Sequence, residues 1–581
     1  MTSRSLTESA SAPALRARSR IDGWTAFTFF IAALIALPIL VVLAYVFVPS
    51  HGIWQHLAST VLPGYVTTSL WLMVGVGLGA TVIGVGTAWL VTLCDFPGRR
   101  VFEWALLLPL AIPAYVIAYT YTGLLDFAGP LQSSLRDLTG WSHGDYWYPN
   151  VRSLPGAIVM LTLVLYPYVY LLSRAAFLEQ SVCVLEVSRT LGCGPWRCFF
   201  AVALPLARPA VVAGVTLVLM ETLNDFGTVQ YFGVNSFTAG IYRTWMGMGE
   251  PAAAAQIAAV LTLFIALLVL LERLSRGRGK VHHTTSKYRQ LPRYRLHGGH
   301  AALALLANLL PVLLGFLIPA VVLTVWAVET GPRIIDARFF AEMSNSFVLA
   351  SLAAVLAVVI AMIMAYGLRL RRSRATTYAT RIAAMGYGVP GAVIAVGVLI
   401  PLSQLDTWIN NVTVAQWDVR VGLVLSGTVV AVLFAYMVRF LAVSFNAIEA
   451  SLGKVTRNMD DAARTLGQRP LGALLRIHLP ITKGSLLTAA ILVFVDVMKE
   501  LPATLLLRPF NFDTLAIRAY QLASDERLAD AAAPSLAIVL VGIVPVVMLS
   551  LAIAKSRPGY EASRQERIAA AVMDKSVMER A

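Results

Sequence analysis

Four acidic side chains lie in or near long apolar stretches of the chain, where an ionised carboxylate is costly. They are Glu221, Asp225, Asp496 and Glu500. A carboxylate at the centre of a bilayer costs about 2.5–3.5 kcal/mol on insertion scales, so such groups are expected to face a protein interior or a wet cavity. There they would stabilise a cation. The alternative is structural, because pairing with Lys499 or with backbone groups would fix the packing of helices, and the residue pattern leaves both readings open.

No catalytic or metal-binding set accompanies these carboxylates. The sequence has no Ser/His constellation and no cluster of His, Tyr and carboxylate groups that would hold a metal tightly. Cys193 and Cys198 lack a matching group of Cys or His residues. A phosphate-binding loop is absent too, since neither Gly-Lys pair is followed by Ser or Thr. We therefore expect no enzyme activity, no metal site and no cofactor bound by this chain.

The elements that must position the carboxylates are membrane helices. Hydrophobic residues make up 58% of the 581 residues and charged residues 13%, with a mean hydropathy of +0.73. Ordinary globular domains carry roughly a quarter charged residues, and a membrane crossing takes about 20 apolar residues. The sequence therefore predicts an all-α polytopic membrane protein with about twelve transmembrane helices. The predicted spans are 24–48, 66–93, 101–125, 154–178, 206–233, 252–274, 301–328, 344–368, 379–402, 421–445, 481–507 and 531–554.

The formal net charge of +15 reflects topology. With a cytosolic N-terminus and alternating helices, most of the 46 Lys and Arg residues fall in cytosolic connections. That asymmetry is the positive-inside rule, which orients helices in the bilayer. We therefore expect a multi-pass protein with both termini in the cytosol, with the lipid bilayer as its environment and no nucleic acid as a partner.

The chain consists of two homologous halves in parallel orientation. Residues 185–205 and 460–480 match at a constant offset of 275, and the same offset aligns Glu221 with Asp496 and Asp225 with Glu500. Parallel repeats of this kind place a substrate path at the interface between halves. The predicted organisation is a cytosolic segment 1–23, a first half 24–275, a basic cytosolic linker 276–299, a second half 300–554 and a cytosolic tail 555–581.

Each half carries one short motif on the predicted cytosolic side, at 186–205 and 461–480. An acidic residue suits the first turn of a helix, Gly suits a left-handed helix end, and Pro suits the first turn of the following helix. The spacing predicts a helix–turn–helix rigid enough to transmit force. The motif residues are Glu186, Gly192 and Pro205 in the first half and Asp461, Ala462, Ala463, Gly467 and Pro480 in the second.

The duplicated motif resembles the signature of the membrane subunits of ABC importers. In that family this short coupling helix docks into a groove on an ATPase subunit. The resemblance implies the type I permease fold, two ATPase copies that hold ATP and Mg, a periplasmic binding protein, and a place in the bacterial inner membrane. Val187-Ser188 replaces the usual Ala-Ala in the first half, which leaves equal coupling by the two halves in doubt.

The segments around the fifth span of each half, 221–228 and 496–504, together with Arg518-Ala-Tyr, resemble the iron(III) importer permease family of bacteria. The likeness covers nearly the whole chain and implies transport of ferric ion received from a periplasmic binding protein. Related permeases carry thiamine, phosphonates, sulfate, molybdate or polyamines. These cargoes stay open as alternatives, as does a proton-coupled secondary transporter.

Two arginines, Arg243 and Arg518, occupy matching positions in the outer connection before the last helix of each half. Together with the four carboxylates they form the predicted translocation path or gate. They would meet acidic residues of a binding protein, or an anion that accompanies the metal. The alternative is that they hold the outer loop in place.

Overall fold

The computed structural model describes residues 23–50, 52–142, 145–179, 188, 190, 192–275, 293–371 and 373–555. Within these ranges the chain is almost wholly helical. A bilayer offers no water to backbone polar groups, and a helix satisfies these groups within its own segment. The strands of the described chain are a single parallel pair, β1 Cys94–Asp95 with β2 Tyr294–Arg295. This pair attaches the end of the predicted linker to the first half.

The two halves show similar orders of helices. The first half contains α1 Gly23–Ala44, α2 Ile53–Thr60, α3 Leu62–Leu93, α4 Arg99–Ala105, α5 Ala114–Leu125, α6 Pro130–Thr139, α7 Leu154–Glu179, α8 Pro195–Cys198, α9 Leu204–Asn224, α10 Gly227–Tyr231, α11 Phe237–Tyr242 and α12 Pro251–Ser275. The second half contains α13 Gly298–Val312, α14 Ile318–Ile334, α15 Ala337–Leu370, α16 Arg374–Ala383, α17 Gly391–Trp417, α18 Val429–Gly453, α19 Arg457–Thr465, α20 Pro470–Ala473, α21 Leu479–Met498, α22 Pro502–Leu507, α23 Leu515–Ser524 and α24 Ala532–Lys555.

All twelve predicted spans overlap helices. Ten described helical stretches are long and apolar enough to cross a membrane, and an eleventh results if the bent pair Arg99–Ala111 with Ala114–Thr139 is one span. The pair bends by 90° at Pro113, whose ring removes a backbone donor. The last helix holds a shorter apolar stretch, Ala532–Met548. These findings establish a polytopic all-α membrane protein.

The ninth predicted span, 379–402, is wrong in its bounds. Residues 384–390 separate α16 from α17, so the long helix begins at Gly391 and continues to Trp417. The segment Gly386-Tyr-Gly-Val-Pro390 interrupts the helix, because glycine weakens a helix and the residue before proline disfavours the helical region.

The fifth span is broken at the same place in both halves. In the first half α9 ends at Asn224 and α10 begins at Gly227; in the second half α21 ends at Met498 and α22 begins at Pro502. The sequence predicted continuous spans, 206–233 and 481–507, at both places. Each break leaves a short non-helical stretch in the protein interior, which holds Asp225 in the first half and Glu500 in the second, while Glu221 and Asp496 lie in the last turn of the preceding helices.

The first helix of each half packs on the other half. Helix α1 packs against α15, α16 and α17, while α14 packs against α5. Small residues make these crossings close: a Cβ on Gly397 would lie 2.3 Å from the Pro38 carbonyl oxygen, and one on Gly315 would lie 2.9 Å from that of Leu163. Tyr121 also donates a hydrogen bond to the Leu314 carbonyl at 2.7 Å. The halves are therefore interleaved.

Gly397→Ala is expected to loosen the crossing of α1 with α17. The added methyl group cannot be accommodated beside the Pro38 backbone, and such overpacking typically costs about 1–3 kcal/mol. Thermal unfolding of the protein in detergent should show a lower midpoint.

Gly86→Ala in α3 is the matched control, because a Cβ there meets nothing within 4 Å. Alanine stabilises a helix by roughly 0.8–1 kcal/mol relative to glycine, so this variant should be at least as stable as the parent. An unchanged midpoint for Gly397→Ala would contradict the close crossing.

Candidate functional site

All four predicted carboxylates line one cavity of about 140 Å³ between the two halves. Glu221 and Asp225 come from the end of α9 in the first half, and Asp496 and Glu500 from the end of α21 in the second. A backbone contact joins the halves here, since Gly391 N donates to Asn224 Oδ1 at 3.0 Å. The other polar lining residues are Asn224, Tyr115, Tyr168, Tyr387, Arg439 and Lys499. The structure thus brings together matching carboxylates that are 275 positions apart in the chain.

Asp225 and Glu500 cap the short helices that follow the two breaks. Asp225 accepts hydrogen bonds from Thr228 Oγ1 at 3.0 Å and Val229 N at 3.1 Å. Glu500 accepts from Ala503 N and Thr504 N, both at 3.0 Å. A helix start leaves such N–H groups without partners inside the helix, so the carboxylates satisfy donors that the breaks expose. These two residues therefore make the contacts with backbone groups that the structural alternative describes.

Glu221 and Asp496 each contact the residue three positions later. Asn224 Nδ2 donates to Glu221 Oε2 at 3.3 Å, whereas Lys499 Nζ forms an ion pair with Asp496 Oδ1 at 3.0 Å. Asn224 and Lys499 are matching residues at the repeat offset. The partner of the carboxylate at this position is therefore an uncharged amide in the first half and a cation in the second.

Arg439 is a cavity residue that sequence reasoning missed. It projects from α18, and its Nη1 lies 3.2 Å from Glu500 Oε1, with both side chains almost fully buried. A single arginine inside the apolar run of residues 429–443 was a usable signal, because such a charge is expected to face the bundle interior. With Lys499, it neutralises both second-half carboxylates. Among the described residues Glu221 and Asp225 have no cationic ion-pair partner.

Arg243 and Arg518 do not reach the cavity. Arg243 Nη2 donates to Asn235 Oδ1 at 2.8 Å, and its guanidinium lies 5.9 Å from the centre of the Tyr65 ring. Arg518 Nε lies 3.8 Å from Glu342 Oε2. Both arginines contact neighbouring loops and helices of their own half. Those contacts fit the alternative in which they hold the outer loops in place.

The second-half motif forms a helix–turn–helix. Asp461, Ala462 and Ala463 lie in α19, and Gly467 follows it with a left-handed φ of +74°. The chain then forms α20, one wide helical turn at Leu474–His478, and α21 with Pro480 in its first turn.

The described part of the first-half motif follows the same plan. Gly192 has a φ of +79°, and a wide turn at Phe199–Ala203 leads into α9 with Pro205 in its first turn. Glu186 lies outside the described residues. Within the described chain the two motifs therefore have one backbone geometry.

An ion-pair network joins the halves through two connections between predicted spans, 126–153 in the first half and 508–530 in the second. Arg152 makes two 2.7 Å hydrogen bonds to the carboxylate of Glu526, and these hold the pKa of that carboxyl below its ordinary value. Burial raises the pKa of Asp530, but hydrogen bonds from Arg333 and Arg527 outweigh burial and lower it. Sequence patterns gave no sign of this network, since Arg152 and Glu526 are 374 residues apart.

Comparison with known proteins gives one family match and several similar transporters. Residues 80–279 match the family described as the inner membrane component of binding-protein-dependent transport systems. The Fe(3+)-transport system permease protein FbpB 2 of Haemophilus influenzae is 27% identical over 488 residues, covering 83% of this chain and 88% of that protein. The molybdenum transport system permease protein ModB of Escherichia coli is 28% identical over 206 residues, covering 34% and 86%. The sulfate transport system permease protein CysW of Escherichia coli is 28% identical over 266 residues, covering 42% and 88%.

Arg439→Met is expected to destabilise the protein by about 3–5 kcal/mol, because it leaves the buried Glu500 carboxylate without its cationic partner. The double variant Arg439→Met/Glu500→Gln should recover much of this loss. Its Gln carbonyl can still accept one of the two backbone hydrogen bonds, from Ala503 N or from Thr504 N, and no unpaired charge remains. Unfolding midpoints in detergent measure both. A double variant no more stable than Arg439→Met would show that the two side chains are not coupled.

Proposed function

We propose that this chain, a multi-pass permease of the ABC-importer family, moves a cation through the cavity between its halves, and that the cation is ferric iron. One observation carries the proposal: carboxylates from both halves line a single interior cavity. The proposal also draws on the similarity to an Fe(3+)-transport permease over most of both chains. A periplasmic binding protein would deliver the ion at the outer side.

The charge of the cavity favours a cation over the anionic cargoes. Four carboxylates and two basic groups line it, which leaves a net negative charge when all are ionised. Sulfate and molybdate would be repelled by Glu221 and Asp225, which form no ion pair in the described structure. A trivalent cation would be attracted, and strongly so, because the effective dielectric inside a protein is well below that of water.

The energy source in this proposal is a separate ATPase subunit, which would hold ATP and Mg. Two copies would dock, one on each motif, and both termini would lie on the same cytosolic side of the inner membrane. The exposed surface of the second motif suits a protein partner: Leu466 is 79% exposed beside the polar helix α19. Closure of the ATPases would push the motifs together and open the cavity outward.

Gly467→Val is expected to reduce ATP-driven uptake about tenfold, since the left-handed backbone costs a side chain roughly 1–2 kcal/mol and a β-branched one more. Membrane insertion should be unaffected, because a side chain there has open space around it. Gly192→Val should act likewise. Uptake is measured in liposomes that contain the permease, its ATPase and a loaded binding protein.

Gly467→Asn is the matched control, because asparagine tolerates the left-handed conformation. It should retain most of the uptake. Full activity of Gly467→Val would contradict a role for the motif in coupling. Uptake that ignores ATP depletion and collapses with an uncoupler would instead favour the proton-coupled transporter.

Glu221→Gln is expected to slow ferric uptake about tenfold, as the loss of about 1.4 kcal/mol of cation stabilisation implies. Glu329→Gln is the control, since Glu329 also lies in an apolar helix, α14, but does not line the cavity. The same vesicles are tested with a ferric-loaded and a molybdate-loaded binding protein. If only the molybdate-loaded binding protein stimulated ATP hydrolysis, the assignment of ferric iron as the cargo would be wrong.

A further inference from the structure

We infer that Lys499 is a tethered counter-ion of the cavity. Its ammonium group neutralises Asp496 while the cavity is empty, yields that carboxylate to an incoming cation, and returns when the cation leaves. The inference deepens the proposed function and rests on it, because it assigns to Lys499 the setting of how tightly the cavity holds its cargo. Lysine suits this role, since its ammonium is a compact point charge on a flexible four-carbon chain.

The cavity contains two ion pairs that differ in burial. Arg439 and Glu500 form one pair, and their side chains are 9% and 2% exposed. Lys499 and Asp496 form the other, with 3.0 Å between Nζ and Oδ1, and their side chains are 29% and 22% exposed. All four residues line the cavity. The second pair is therefore the one that water and an entering ion reach more easily.

The carboxylates of the two pairs also differ in how they are held. Glu500 accepts hydrogen bonds from Ala503 N, Thr504 N and the Thr504 hydroxyl, so the start of α22 fixes it in place. For Asp496 the described residues provide a single ion-pair partner, the Lys499 ammonium. A carboxylate held by one flexible side chain can exchange its partner without disturbing the backbone. Asp496 is therefore free to take a different cation.

The matching side chain of the first half is fixed at both ends. Asn224 occupies the position of Lys499 in the repeat. Its Nδ2 donates to Glu221 Oε2 at 3.3 Å, and its Oδ1 accepts from Gly391 N of the other half at 3.0 Å. These bonds hold a short, uncharged amide in place, whereas the Lys499 ammonium is at the end of a long chain. Of these two matching residues, Lys499 is the one with a mobile charge.

The charge balance of the cavity favours the exchange. Four carboxylates, Arg439 and Lys499 line it, so two negative charges remain uncompensated when all six groups are ionised. Withdrawal of Lys499 leaves three, which equals the charge of a ferric ion in magnitude. A trivalent ion also attracts Asp496 more strongly than an ammonium at the same distance, because the Coulomb energy scales with the product of the charges. The cargo can therefore displace Lys499.

The same side chain lowers the cost of emptying the cavity. A departing cation would otherwise leave Asp496 as an unpaired charge in the membrane-spanning part of the protein, which is costly. Lys499 is a replacement within reach, and its electrostatic partners include Glu221 of the opposite half as well as Asp496. Passage requires binding that is strong enough for entry and weak enough for exit. Lys499 shifts that balance toward exit.

The test measures the affinity of the full-length permease in detergent for Tb³⁺, a trivalent hard cation whose luminescence is excited through nearby tyrosines. Tyr115, Tyr168 and Tyr387 line the cavity. Lys499→Asn introduces the first-half residue, and we expect its Kd to be about tenfold lower because the competing ammonium is gone. ATP-driven ferric uptake by liposomes with the complete complex should slow by about the same factor, since tighter binding acts mostly through slower dissociation. A merely structural Lys499 would predict that affinity and uptake fall together.

Asn224→Lys is the reciprocal variant. It places a second tethered ammonium beside Glu221 and should weaken Tb³⁺ binding about tenfold. This variant decides the question if Lys499→Asn fails to insert. Lys483→Asn is the matched control, because Lys483 is exposed near the other end of α21 and does not line the cavity. Its Kd and its uptake should equal those of the parent protein.

A parental Kd in Lys499→Asn or in Asn224→Lys would overturn the inference. Tighter binding by Lys499→Asn without slower uptake would overturn it as well, and so would an equal change in Lys483→Asn. Glu221→Gln tests the site itself and should weaken the Tb³⁺ signal. A parent protein with no such signal, or with one that Glu221→Gln leaves unchanged, would overturn the cation cavity of the proposed function and the inference with it.

Discussion

The fold depends on how the chain satisfies backbone donors where its fifth membrane helices break. Inside a membrane protein an exposed N–H group costs several kcal/mol, so a break at Asp225 or Glu500 requires a local acceptor. Each carboxylate provides one by capping the short helix that follows. The breaks in turn open the space that becomes the cavity. The cavity, the capping carboxylates and the helix starts therefore lie at one place in each half.

Much of the architecture could be predicted from the sequence, because twenty-residue apolar runs have few other solutions. The repeat offset also placed the four carboxylates correctly in register. The breaks themselves were not predicted, since the apolar residues that precede them dominate the spans 206–233 and 481–507; the polar pairs Asn224-Asp225 and Lys499-Glu500 mark the breaks in the sequence. The start of α17 was misplaced for a related reason: Gly386, Gly388 and Pro390 weaken a helix without interrupting the hydrophobic pattern.

Side-chain partners across the halves were harder still. Nothing in the spacing links Asn224 to Gly391, or Arg152 to Glu526, because those contacts depend on how separate helices pack. The sequence named Lys499 as a possible partner of the carboxylates, and the structure pairs it with Asp496. The structure also shows that the duplicated halves share one backbone plan and differ in the charge of the side chains at matching positions. Asn224 against Lys499, and Thr92 against Arg369, are the clearest cases.

The interleaved first helices bear on how the protein is made. Helix α1 enters the bilayer early in synthesis, yet its packing partners α15 to α17 lie in the second half and are translated much later. Until then its close-contact surface around Pro38 has only lipid or insertion factors to cover it. The first half thus reaches its final packing only when the second half arrives. Carrying both halves on one chain guarantees that the awaited partner is always present in equal number and close by.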